Sequence, residues 1–107
     1  MSFRIATFNV HRLQNSKGIE KLLLDNNVEV CGLQEASGLK ALENTFGDKW
    51  KCLFDNGYPN YGNGLVYRID KFELVECQTH ILKGKPGKKT AFQVILIEIE
   101  SKTMLNI

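Results

Sequence analysis

The sequence predicts an α/β (α+β) fold in a single domain spanning residues 1–107, and three observations carry that expectation. The first part of the chain alternates a β-branched and aromatic run, a stretch with apolar residues at helical spacing, and a second apolar run. The later part holds four strand-like runs separated by Asp, Asn, Gly, Pro and Lys clusters, the pattern of a hairpin meander. With 107 residues, 43% of them hydrophobic, the chain is long enough for one core and too short for two.

Arg4 to Val10 reads as the first strand, with Asn9 near its C-terminal end. Ser16 is an N-cap candidate for a helix from Lys17 to Asp25, in which Ile19, Leu22 and Leu23 share a face. Asn26 and Asn27 suit its end. Val28 to Leu33 reads as a strand buried on both faces, which completes a strand, helix, strand unit. Ser37 can cap a second short helix whose Leu39, Leu42 and Phe46 form one stripe before Gly47 stops it. Trp50 to Phe54, Leu65 to Tyr67, Phe72 to Leu82 and Thr90 to Ile99 are the meander. In the last run Phe92, Val94 and Leu96 fall on one parity and Ile95, Ile97 and Ile99 on the other, so both faces call for cover. Helices are expected on one face, and a partner on the other, because so short a chain has little left to supply a second layer.

Charge is nearly balanced, with 24% charged residues and a formal net charge of +2, so no global field draws the chain to nucleic acid or an anionic membrane. Cys31, Cys52 and Cys77 have no metal-type spacing and read as reduced structural thiols. Met1 to Arg4 leads directly into a strand without a charged-then-apolar leader, and no apolar run approaches the roughly 20 residues that span a bilayer. The expectation is an intracellular protein, cytoplasmic or nuclear, with no membrane partner.

Two polar residues stand out by position. Asn9 and Glu35 each lie at the end of an expected strand, and if those strands are neighbours the two side chains converge. An amide oxygen and a carboxylate are hard donors suited to Mg²⁺ or Mn²⁺, which keep several waters and accept phosphate oxygens in the remaining positions. The plainer alternative is that Asn9 ends a strand and Glu35 caps a turn.

The words around them resemble the opening of the endonuclease/exonuclease/phosphatase (DNase I-like) family, which includes apurinic endonucleases, inositol polyphosphate phosphatases and sphingomyelinases. The similarity lies in Phe3 to Val10, Ile19 to Leu24 and Val28 to Glu35, in the glycine-marked Tyr61 to Arg68, and in Phe92 to Ile107 as a central strand pair. It covers almost the whole chain, with Asn9 and Leu33-Gln34-Glu35 its specific parts. The resemblance implies half of a four-layer αββα sandwich, with Asn9 and Glu35 as metal ligands, Gln34 supporting that edge, and Mg²⁺ or Mn²⁺ as cofactor in phosphoester hydrolysis. The family's later Asp-x-Asn and Asp-His elements have no counterpart here. Met104 to Ile107 looks like the approach to an Asn-x-His step, which stops one residue short.

His11 follows two positions after Asn9, where it is a candidate for a catalytic contact or is simply solvated; His80 reads as surface. Arg68, Asn63, Lys85 and Lys88 are candidate substrate contacts, for nucleic acid or another phosphoester. The basic Lys83 to Lys89 segment is equally a solvated hairpin loop. Two function classes follow: part of a metal-dependent phosphoesterase that is inactive alone, or a catalytically incomplete assembly module. In either, a homodimer or a complementary C-terminal fragment covers the open sheet face.

Overall fold

A computed structural model describes residues 4–9, 16–36, 39–55, 62–82 and 89–107. In chain order these form β1 (Arg4–Asn9), α1 (Ser16–Asp25), β2 (Val28–Ala36), α2 (Leu39–Phe46), a single 3-10 turn (Gly47–Lys49), β3 (Trp50–Phe54), β4 (Gly62–Arg68), β5 (Phe72–Leu82), β6 (Lys89–Glu98) and β7 (Met104–Asn106). The expected Ser37 cap lies outside the described residues.

Local chemistry sets the helix ends. Asn27 takes a left-handed φ of 55° just past α1, while the Leu22 carbonyl accepts both the Asn26 backbone N–H at 3.2 Å and the Asn26 side-chain amide at 2.8 Å. Gly47, at φ 70°, closes α2 in a conformation that costs a glycine nothing.

The strands form two sheets. The first has the order β1-β2-β4-β3, with β1 and β2 parallel and the other pairs antiparallel; the second is an antiparallel β5-β6-β7 sheet. This corrects the expectation of one sheet whose far face waits for a partner. Both edges of β4 are taken, by β2 and by β3, so β5 cannot add beside it and the turn at residues 69–71 leads the meander into a second layer instead.

The core is therefore two-sided. On one face of the first sheet, Ile19 and Leu23 of α1 and Leu42 and Phe46 of α2 pack on Cys31, Leu33, Cys52 and Val66. On the other face, Val30, Leu53, Leu65 and Tyr67 meet Phe72, Val94, Leu96 and Leu105 of the second sheet. The two parities of β6 behave as its sequence requires, but its inner parity meets the first sheet and not the helices: Val94 and Leu96 are fully buried, while Ile95 and Ile97 on the outer face are half-buried. Met104, opposite Ile97, is 58% exposed. That outer face carries what remains of the expected uncovered surface. Among the described residues, no helix is long and apolar enough to cross a membrane.

All three cysteines are free thiols; Cys31 and Cys52 are buried in the helix-facing core and Cys77 is exposed. Burial disfavours the thiolate and pushes the Cys31 thiol up to about 12 and that of Cys52 to about 11, the latter helped by the nearby Glu43 charge. At pH 8 a thiol-reactive reagent should therefore label Cys77 in the folded chain and leave Cys31 and Cys52 unmodified until denaturant is added, which mass spectrometry of the labelled peptides will read. The sign of the pH effect follows from the same shifts. Unfolded thiols ionise near 9.0 while the buried pair stays protonated, so their contribution to stability is intact below pH 9 and declines as pH rises through the 9 to 12 interval. Denaturant midpoints between pH 8 and 11 should fall accordingly.

Candidate functional site

Because β1 and β2 run parallel as neighbours, their C-terminal ends open at the same edge of the first sheet. The backbone register sets Asn9 beside Gln34, so Glu35 comes one residue further along β2. The condition stated from sequence, that the two strands be adjacent, is met at the level of the backbone. Described side chains begin two residues before Asn9, at Thr7, and one residue before Glu35, at Gln34.

On its other side β2 pairs with β4, and there the ladder breaks. Leu33 registers with Gly64 and Ala36 with Gly62, so Gln34 and Glu35 stand together opposite the single residue Asn63. A bulge of this kind bends the strand and re-aims side chains, and bulges are concentrated beside functional sites.

A groove of about 200 Å³ opens at this end, between the two sheets. Thr7, Gln34 and Asn63 provide its polar lining and Leu65, Phe92 and Ile107 its apolar walls, with Gly32, Leu33 and Gly64 completing it. Asn63 is held firmly. Its backbone N–H donates to Asp55 Oδ1 at 3.3 Å, its Nδ2 donates to Oδ2 at 3.0 Å, and its carbonyl accepts from the Asp55 N–H at 2.9 Å. Asp55 itself is fully buried. Sequence reasoning passed over Asp55, reading Asp55-Asn56-Gly57 as turn punctuation; the one available signal was an acid placed directly after the apolar strand Trp50 to Phe54.

Arg68 lies elsewhere. β4 runs antiparallel to β2, so its last residue falls at the opposite end of the sheet from Gly62 and Asn63, and the structure does not bring Arg68 to the Asn9 and Glu35 edge. There the guanidinium sits over the Trp50 ring at 5.7 Å from its centroid. Its Nη2 donates to Asp70 at 3.2 Å, while its Nε, also 3.2 Å from that carboxylate, is within ion-pairing range without hydrogen-bond alignment. His80 is exposed on the outer face of the second sheet, 3.0 Å from Gln93 Oε1, in keeping with its surface reading. His11, Lys85 and Lys88 fall outside the described residues.

Among the described residues no three His, Cys, Asp or Glu side chains gather as a metal cage. The donor set at the strand tips is one carboxylate with flanking amides, which suits a hard cation that takes few protein ligands and retains water.

Neither a protein-family model nor a curated protein matches the sequence. Solved structures match the fold. An endonuclease/exonuclease/phosphatase from Bacteroides vulgatus aligns at TM-score 0.78 and 16% identity, over 97% of this chain and 50% of its own. A mannosyl-6-phosphatase from Bacteroides thetaiotaomicron aligns at TM-score 0.80 and 14% identity, over 98% of this chain and 49% of its own. TDP2 from D. rerio, complexed with a single strand DNA product, aligns at TM-score 0.78 and 15% identity, over 95% and 42%. The chain thus has the fold of the endonuclease/exonuclease/phosphatase domains, as its opening segments led us to expect, and spans about half the length of the structures it matches.

Proposed function

We propose that this chain supplies the first metal-holding edge of a Mg²⁺- or Mn²⁺-dependent phosphoesterase. The observation that carries this reading is the parallel pairing of β1 with β2, which registers Asn9 beside Gln34 and leaves Glu35 at a bulge next to an open groove. Asn9 and Glu35 would hold the cation, and Gln34 would steady that edge. A divalent cation so held neutralises charge on a phosphate and orients it. The remainder of the work assigned to these residues is positional. The bulge turns the end of β2, and the walls made by Leu65, Phe92 and Ile107 would keep bulk water from one side of the groove.

The similar structures support a phosphoester as the substrate class, since one is a sugar phosphatase and another holds a DNA product. Hydrolysis also needs a general base and a water-orienting group, which the sequence does not offer at this edge. Asn63 and Thr7 are placed to meet a substrate in the groove; Arg68 would act only on a substrate long enough to reach the far end of the sheet.

Calorimetric titration with Mn²⁺ tests the metal edge. The unaltered chain should bind weakly, Glu35→Ala should abolish the heat, and Asn9→Ala should weaken binding by roughly tenfold or more, the least that a removed supporting partner costs. Arg68→Ala should bind as the unaltered chain does. Binding that ignores Glu35 would refute the site.

A second reading, an assembly module, is favoured by the outer face of the second sheet. Ile95, Ile97 and Met104 share that face, and Val75, 50% exposed, lies at the β5 bulge beside it. A second copy packed there, or a complementary chain, would bury an apolar surface that is otherwise wet. Light scattering on the isolated chain should give about twice the 12.2 kDa chain mass. A monomer mass would leave the self-association reading without support.

A further inference from the structure

We infer that Asp55 is a positioning residue for the metal edge: it fixes Asn63, and through Asn63 the bulge that presents Glu35. The inference rests on the metal-edge reading above but concerns a residue that would not touch the cation.

Asp55 is a carboxylate with no solvent exposure, an arrangement that is costly unless its oxygens are hydrogen-bonded. They are, and asymmetrically. One oxygen accepts from the Asn63 backbone N–H and the other from the Asn63 side-chain amide, while the Asp55 N–H returns a bond to the Asn63 carbonyl. Both backbone polar groups of Asn63 therefore point toward β3, away from β2. Its flanking residues do the opposite work, Gly62 registering with Ala36 and Gly64 with Leu33. Asn63 is thus the single residue facing Gln34 and Glu35 across the bulge, and Asp55 is what determines that Asn63 occupies that place.

The sequence explains why a pin is needed. Burial of Leu65, Val66 and Tyr67 fixes the register of the inner part of β4, whereas Gly62-Asn63-Gly64 at its end has glycines on both sides of Asn63 and so no such side chains to hold it. A slip confined to this end of β4 would set a glycine opposite the bulge and redistribute the alternation at Gln34 and Glu35. Two carboxylate oxygens can hold a backbone donor and a side-chain donor at once. An asparagine at position 55 keeps one acceptor oxygen and replaces the other with an NH₂, so the Asn63 backbone N–H and side-chain amide can no longer donate one to each oxygen.

The test is a set of ¹H–¹⁵N amide spectra of the full chain. In Asp55→Asn the amide resonances of Gln34, Glu35 and Ala36 should move while those of Val30 and Leu96 stay in place. The double variant Asp55→Asn with Asn63→Asp, which restores an amide facing a carboxylate with the roles exchanged, should return them toward their original positions. Unmoved Gln34 and Glu35 resonances in a folded Asp55→Asn chain would overturn the inference. If that variant does not fold, Asn63→Ala, which removes the Nδ2 to Oδ2 bond and leaves the backbone donor of Asn63 in place, is read in the same way. Added Mn²⁺ gives the functional arm: affinity, followed by paramagnetic broadening near Glu35, should fall roughly 10- to 100-fold in Asp55→Asn, as for other groups that orient metal ligands. Absence of broadening in the unaltered chain would refute the metal reading alone, and the metal-free shifts would still decide the role of Asp55.

Discussion

The structure depends on burial of the first sheet on both faces. β2 is its centre, and Val30, Cys31 and Leu33 have no solvent exposure although they point to different layers, Val30 toward the second sheet and Cys31 and Leu33 toward the helices. A strand covered on both sides has a register that is costly to change, because a one-residue slip would turn every side chain to the wrong layer. The same packing fixes where β1 and β2 end. The strand tips are thereby held by the core of the molecule, and a site built there inherits that order.

Much of this was legible in the chain. β3 and β5 have the bounds that their apolar runs gave, and the helices differ from expectation by a residue or so at their ends. Parity along β6 separated its two faces, Val94 and Leu96 on one and Ile95 and Ile97 on the other, and called for cover on both. What parity does not contain is the identity of the opposing layer. Periodicity reports that a face is apolar, and only the long-range pairing of β4 with both β2 and β3 decides that the meander folds over the first sheet. β4 begins at Gly62 and not at Leu65, because its glycines, read as turn residues, are paired to β2 and β3 all the same. β7, of three residues, is too short for periodicity to announce, and it was the resemblance that implied it, as part of a strand pair over Phe92 to Ile107.

The candidate site divides along similar lines. Convergence of β1 and β2 could be anticipated because an intervening helix favours parallel neighbours, and the register of Asn9 with Gln34 follows. The bulge could not, since it arises from a pairing between segments distant in sequence. Nor could the clamp between Asp55 and Asn63, where an acid that looks like turn punctuation becomes a buried hydrogen-bond acceptor. Arg68 shows the converse: a cation near a glycine-marked segment in sequence lies at the far end of an extended strand, where it stacks on Trp50.

The claim most in need of a direct measurement is that the tips of β1 and β2 together hold one hard cation. Anomalous diffraction from crystals of the chain grown with Mn²⁺ locates the ion without reference to any activity. The account predicts a peak between the two tips, with oxygens of Asn9 and Glu35 at about 2.0–2.3 Å and the other positions filled by water. A peak elsewhere, or Asn9 and Glu35 directed to opposite faces of the sheet, would contradict it.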